Sequence, residues 1–158
     1  MKRRWPYAGL MAACLILDQI TKALIRSELR VLDSVVVIPG FLNLTRVQNR
    51  GAVFGLLDGG GASGLKFILI TSAAVVALVF VAVYFFRTPL SDKLTLVGLT
   101  LIMSGAVGNL ADRFLRGSVT DFIDMYVKKW HWPFYNAADS CITIGACFLI
   151  ATLVFRRK

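Results

Sequence analysis

The chain has 158 residues, of which 57% are hydrophobic and only 17% charged, with a net charge of +9 and a mean hydropathy of +0.70. A soluble domain of this size is nearer half apolar, with about a quarter of its residues charged. A water-soluble globular domain is therefore excluded, and the composition is that of an integral membrane protein.

The N-terminal stretch "MKRRWPYAGLMAAC" has the basic start and small residues of a cleavable export signal. Its apolar run continues through "LIL" beyond Cys14, which completes a span, so it reads as a retained first helix over 7–25. Within it "DQITK" sets Asp18 and Lys22 four residues apart, on one helix face. A neutralised intrahelical pair is the structural reading, and a pair that orients a site is the functional one.

The connection 27–63 carries "SVVVIPGFLNLTRVQN", a β-branched run, a Pro-Gly break and an alternating segment. It predicts two short strands around a turn, packed as a cap on the helix ends. "GAVFGLLDGGGASG" follows, apolar and Gly-punctuated, as a segment that could lie along the membrane surface. Spans over 65–86, 94–110 and 138–155 complete a set of four, each near the length of about 17–25 residues that crosses the hydrocarbon. Helices satisfy their own backbone groups there.

Basic residues set the orientation. Lys2, Arg3, Arg4, Arg87, Lys93, Arg156, Arg157 and Lys158 crowd into the two tails and the short second connection. The longer connections, 27–63 and 111–137, are sparser in Lys and Arg. By the positive-inside bias both termini are cytoplasmic and the long connections face outward. The charge is thus mainly a topology signal, and no folded basic face points to nucleic acid. Cys14, Cys141 and Cys147 all fall in predicted spans, as small packing residues rather than a disulfide framework. No Cys/His or carboxylate pattern suggests a metal.

Polar residues at the ends of spans are the informative ones, because a charge at mid-membrane costs roughly 2.5–3.5 kcal/mol on insertion scales. The third span ends in "SGAVGNLADRF". Gly105 and Gly108 allow close helix approach, and Asn109, Asp112 and Arg113 form either boundary charges or the wall of a site. Asp121 and Asp124 follow in an extended or turning segment. His131, the single histidine, lies in "KKWHWPF", where Trp130, Trp132 and Phe134 suit a membrane interface better than catalysis. Asp139 opens the fourth span. Alone it is a helix N-terminal carboxylate with Asn136 as a cap; together with Asp121 on the same rim it is half of an acid pair. Two carboxylates in one site cannot both ionise cheaply, so one keeps a proton while the other draws a proton from water. A proton-coupled carrier built on Asp18, Lys22 and the rim carboxylates, and a non-catalytic assembly subunit, are the competing readings.

Five ordered motifs then coincide: "DQITK" (18–22), "NRGAVFG" (49–55), "GAVGNLADR" (105–113), "VTDF" (119–122) and "YNAADS" (135–140). On them the chain resembles the bacterial lipoprotein signal peptidases, also called signal peptidase II, over essentially its whole length. The resemblance implies an all-α membrane fold of four transmembrane helices with a small extracytoplasmic β-rich cradle and a short surface helix. It also implies an aspartic endopeptidase of the bacterial inner membrane, acting at the outer face. Its substrate would be a diacylglyceryl-modified prolipoprotein, cut on the amino side of the lipidated cysteine.

By motif, the implied catalytic pair is Asp121 and Asp139, while Asp18, Lys22, Asn49, Gly51, Gly108, Asn109, Asp112, Arg113, Asn136 and Ala138 match positions that shape or support the site. No cofactor, metal or obligate protein partner is implied; membrane lipid and globomycin-type inhibitors are the further expected ligands. Asp124 lies outside the motifs and reads as structural or solvent-facing. Ser104 and Tyr135 stand where glycine and phenylalanine are common, both conservative in size.

Overall fold

The computed structural model describes residues 4–50 and 62–155. The predicted surface segment and Gly51 lie outside the described residues. In chain order the elements are α1 (Trp5–Glu28), β1 (Ser34–Ile38), β2 (Leu42–Asn49), α2 (Ala62–Arg87), α3 (Lys93–Arg116), β3 (Val119–Val127), β4 (Trp130–His131) and α4 (Ala137–Phe155). All four helices are long and apolar enough to cross a membrane. They coincide with the four predicted spans.

Two boundaries differ in an instructive way. The spans at 7–25 and 94–110 extend to Glu28 and Arg116, because the charges past each apolar run continue the helix instead of ending it. Asp112 and Arg116 pair four residues apart at 3.0 Å, which keeps the last turns of α3 regular. The stop comes at Gly117, with φ +71 and its N–H bonded to Arg113 O at 2.9 Å. Glycine takes this left-handed cap without the steric penalty of a Cβ.

α3 is the central helix and packs against the other three. Two thirds of its apolar window (67%) is buried, against 6% for α2, whose side chains face outward as lipid requires. Since lipid is as apolar as leucine, helix association in a membrane rests on close packing and hydrogen bonds. Gly98 and Gly145 supply that closeness between α3 and α4. A Cβ on Gly145 would stand 2.5 Å from Gly98 O, and one on Gly98 would stand 2.9 Å from Gly145 O. At the opposite end from the sheet, the Arg4 guanidinium donates to Phe85 O at 2.8 Å and Thr88 O at 2.8 Å. It thereby joins the start of α1 to the carbonyls at the end of α2, where a cation suits the helix dipole.

The strands form one antiparallel order, β1-β2-β3-β4. β1 and β2 are the predicted strand pair, turning through Pro39 and Gly40. The connection 111–137 adds two more strands: β3, where the stretch around Asp121 and Asp124 read as extended or turning, and β4, which the sequence pattern did not reveal. The sheet rests on the end of the bundle where α1 and α3 finish and α4 begins, with β3 against α1 and α3. Val119 and Phe122 are buried in that contact. The acids of β3 are therefore carried to the helix ends.

Candidate active site

Asp121 and Asp139 arrive from different directions. Asp121 belongs to β3 and is 2% exposed; Asp139 lies in the first turn of α4. Backbone pairing brings them together. The N–H groups of Phe122 and Ile123 reach Tyr135 O at 3.1 and 2.9 Å, and Tyr135 N–H returns to Ile123 O at 3.3 Å. This clamps the residue before Asn136 onto β3 beside Asp121, and α4 starts from there.

Asn136, fully buried, is the hinge of the arrangement. Its Oδ1 accepts from Asp139 N–H at 3.0 Å while its own N–H donates to Asp139 Oδ2 at 3.2 Å. That is a reciprocal capping box, with Asn and Asp in place of the usual Ser/Thr and Glu. Its Nδ2 is then free to donate to Asp121 Oδ1 at 2.6 Å. One asparagine holds both carboxylates.

Other donors surround the pair. Asn49 Nδ2 reaches Asp121 Oδ2 at 2.9 Å, and Asn109 Nδ2 reaches Asp139 Oδ1 at 2.7 Å. The amide of Asn109 is oriented from below, because its Oδ1 accepts from the buried Lys22 ammonium at 2.9 Å. Lys22 pairs with Asp18 Oδ2 at 2.9 Å and approaches Asp112 Oδ2 at 3.4 Å. Thus the predicted intrahelical pair exists, and its ammonium also reaches the asparagine that bonds Asp139. Asp18 Oδ1 in turn accepts from Ala138 N–H at 3.0 Å, and Gly108 leaves room for it, since a Cβ there would sit 2.6 Å from Asp18 Oδ2. Asp112 Oδ2 accepts from Thr120 N–H at 3.1 Å, fixing β3 one residue before Asp121.

The electrostatics follow from this burial. Desolvation pushes the Asp121 carboxyl up to about 6, against the donors Asn49 and Asn136, and the nearby Asp139 carboxylate pushes in the same direction. A carboxyl so placed keeps a proton further into the mildly acidic range than an ordinary aspartate does. A groove of about 540 Å³, mainly apolar, opens beside Asp139 between Met125, Trp132 and Tyr135 on the sheet side and Thr143 and Ile144 on α4.

Of the predicted residues, Asp18, Lys22, Asn49, Gly108, Asn109, Asp112, Asn136 and Ala138 thus meet around Asp121 and Asp139. Arg113 is half-buried on α3, and its guanidinium has no hydrogen bond or ion pair among the described residues. The sequence reading missed Thr120, Arg26 and Arg116, which complete the surroundings of Asp112 at 3.1, 3.6 and 3.0 Å. Only the four-residue spacing of Asp112 and Arg116 could have signalled this. Asp124, read as structural or solvent-facing, is buried: it accepts from Asn43 at 3.1 Å and pairs with His131 Nδ1 at 2.7 Å.

The family model described as signal peptidase (SPase) II matches residues 10–155. The chain belongs to the signal peptidase II family. It is 38% identical over 151 residues to the lipoprotein signal peptidase of Solibacter usitatus, covering 96% of this chain and 92% of that protein. To the protein of the same name from Desulforapulum autotrophicum it is 41% identical over 155 residues, covering 94% and 95%. A solved structure described as a bacterial membrane enzyme, determined by the in meso method, is 36% identical and superposes with a TM-score of 0.77 over 97% of this chain and 92% of its own. A signal peptidase II fold of four membrane helices and a small sheet is therefore established, and the chain is a multi-pass membrane peptidase. The carrier and assembly-subunit readings fall with that membership.

Proposed function

We propose that this chain is a membrane aspartic endopeptidase. It frees the signal peptide from diacylglyceryl-modified prolipoproteins by cutting on the amino side of the lipidated cysteine. The observation that carries the reading is Asn136, which donates to Asp121 at 2.6 Å and, through its backbone, to Asp139 at 3.2 Å. A single rigid residue sets the spacing of two acids, which is what a water-activating pair needs.

In the resting pair Asp121 holds the proton and Asp139 is ionised. Asp139 takes a proton from a water molecule as its oxygen attacks the scissile carbonyl carbon, and Asp121 gives its proton to the carbonyl oxygen. The resulting gem-diol collapses with cleavage of the C–N bond; Asp139 returns its proton to the leaving amine, and Asp121 recovers one from the diol. Atoms and charges balance without a metal. Asn109 and Arg113 are suited to polar groups of the substrate. The groove beside Asp139 suits an apolar part, so that a substrate held by its signal helix and acyl chains presents its peptide bond at the lipid boundary. Globomycin-type inhibitors would lie between the two acids.

The chain acts as one membrane domain over 1–158, in the bacterial inner membrane. Both termini are cytoplasmic and the sheet end is outside, as the distribution of Lys and Arg supports. Purified protein, mixed with lipid-modified prolipoprotein, should cleave it, whereas Asp121→Asn and Asp139→Asn should each abolish cleavage while remaining folded. Robust turnover by either variant would defeat the paired-acid mechanism. Equal cleavage of the unlipidated precursor would defeat the lipid requirement.

A further inference from the structure

The β3–β4 hairpin has features that the proteolytic site does not use. Its two-residue turn is Lys128-Lys129, flanked by the pair Val127 and Trp130. Lys128 sits at φ +56, a left-handed conformation that such turns usually give to glycine or asparagine. A lysine there is strained, which points to a role for its charge. Neither ammonium has a hydrogen bond or ion pair among the described residues, and both side chains are exposed. The acid of the hairpin, Asp124, is engaged by His131 and Asn43.

The hairpin also carries aromatic rings. His131, half of whose side chain is exposed, stacks on Tyr126 with centroids 5.1 Å apart and pairs with Asp124. Trp130 in β4 and Trp132 just past it, whose N–H still bonds Met125 O at 2.7 Å, are 84% and 70% exposed. Trp132 shares the groove with Thr143 and Ile144, which lie about 6 Å along α4 from Asp139 at 1.5 Å per residue. Since α4 is a membrane span, this places the indole at the depth of the bilayer boundary. Indoles favour that depth, and lysines beside them favour an anionic surface.

We propose that the Lys128-Lys129 hairpin is a docking element for anionic phospholipid headgroups. It seats the mouth of the Asp139 groove on the bilayer surface. The two ammonium groups meet the phosphates and the two indoles enter the interface beneath them.

The test needs no enzymatic activity. The chain has three tryptophans, so Trp5→Phe leaves Trp130 and Trp132 as the emitters. The protein is placed in bilayers of phosphatidylcholine and phosphatidylglycerol at equal mole fractions, with bromine on the acyl chains of one lipid or the other. Brominated phosphatidylglycerol should quench the emission about twofold more than brominated phosphatidylcholine, and the preference should fade at high salt. Lys128→Gln/Lys129→Gln should bring the ratio to one. Lys128→Gly, which suits the turn better, should keep the hairpin and lose part of the preference. Equal quenching in the parent protein, or a preference that survives the double substitution, would overturn the proposal.

Discussion

Asn49→Ala separates the two acids experimentally. Asn49 donates to Asp121 Oδ2 at 2.9 Å, whereas the donors to Asp139 are Asn109 and the Asn136 backbone. A hydrogen bond to an ionised group is worth about 1.5–3 kcal/mol, and one pKa unit is about 1.4 kcal/mol. Asn49 is half-buried, so water replaces part of the lost bond and the lower figure applies. Its bond favours the ionised form of Asp121, whose carboxyl burial has already pushed to about 6. Removing that bond therefore raises the carboxyl by about one further unit. In the proposed mechanism the working pair carries one proton; as pH rises through the upper apparent pKa, the pair loses it and can no longer donate to the carbonyl. The alkaline limb of kcat/KM should accordingly move up by about one unit, while the acid limb, set by a second proton on the pair, stays in place. Cleavage of a lipidated substrate across mildly acidic to alkaline pH measures both limbs. A downward shift of the alkaline limb, or a parallel shift of both, would refute the assignment of the proton to Asp121.

Two further substitutions test how the frame holds the site. In Gly105→Ala the new Cβ would strike Ala138 O and Ile142 Cγ1, forcing α4 away from α3 one residue before Asp139; a displacement on the order of 1 Å at a reacting group costs about a hundredfold in kcat. A variant that inserts normally yet keeps its kcat would show that the closeness of α3 and α4 does not position the acid. In Arg4→Ala the bonds to Phe85 O and Thr88 O are lost, together with the guanidinium 4.9 Å from the Phe85 ring. Thermal unfolding in detergent should show a loss of about 1–3 kcal/mol, with Arg4→Lys recovering less than half because an ammonium cannot fork between carbonyls. An unchanged unfolding temperature would mean that the staple between α1 and α2 is not formed.

The four spans were legible because a membrane allows few alternatives: long apolar runs must be helices, and each was found by length alone. The β1–β2 pair was legible through its β-branched run and Pro-Gly break. β3 was legible only as an extended or turning stretch around Asp121 and Asp124, since Val119 to Asp121 bury successive side chains, which erases the alternation that marks a half-buried strand. The end of α3 was hidden for another reason. Asp112, Arg113 and Arg116 resemble a boundary in a linear reading, and only the contacts of Asp112 with Lys22, Arg26 and Thr120 explain a charge buried inside the last turns. Arg4 likewise counted as one more cytoplasmic cation, although it is also a cap on another helix. Motifs pointed to most of the polar residues of the site, but not to their wiring, because partners such as Lys22 and Asn109 lie 87 residues apart.

That wiring bears on why acids stand where lipid begins. A buried carboxylate is expensive unless its oxygens are satisfied, and here each oxygen of Asp121 and Asp139 has a donor. Those donors are all neutral amides, with the one fully buried ammonium among the described residues, Lys22, kept one residue away behind Asn109. A direct Lys22 contact would hold an acid ionised and strip the pair of its proton. Neutral amide donors favour the ionised form less than an ammonium would, and at Asp121 desolvation by burial outweighs them. Asn136 is one of these donors while also capping α4, so the helix that enters the membrane and the acid pair share one origin.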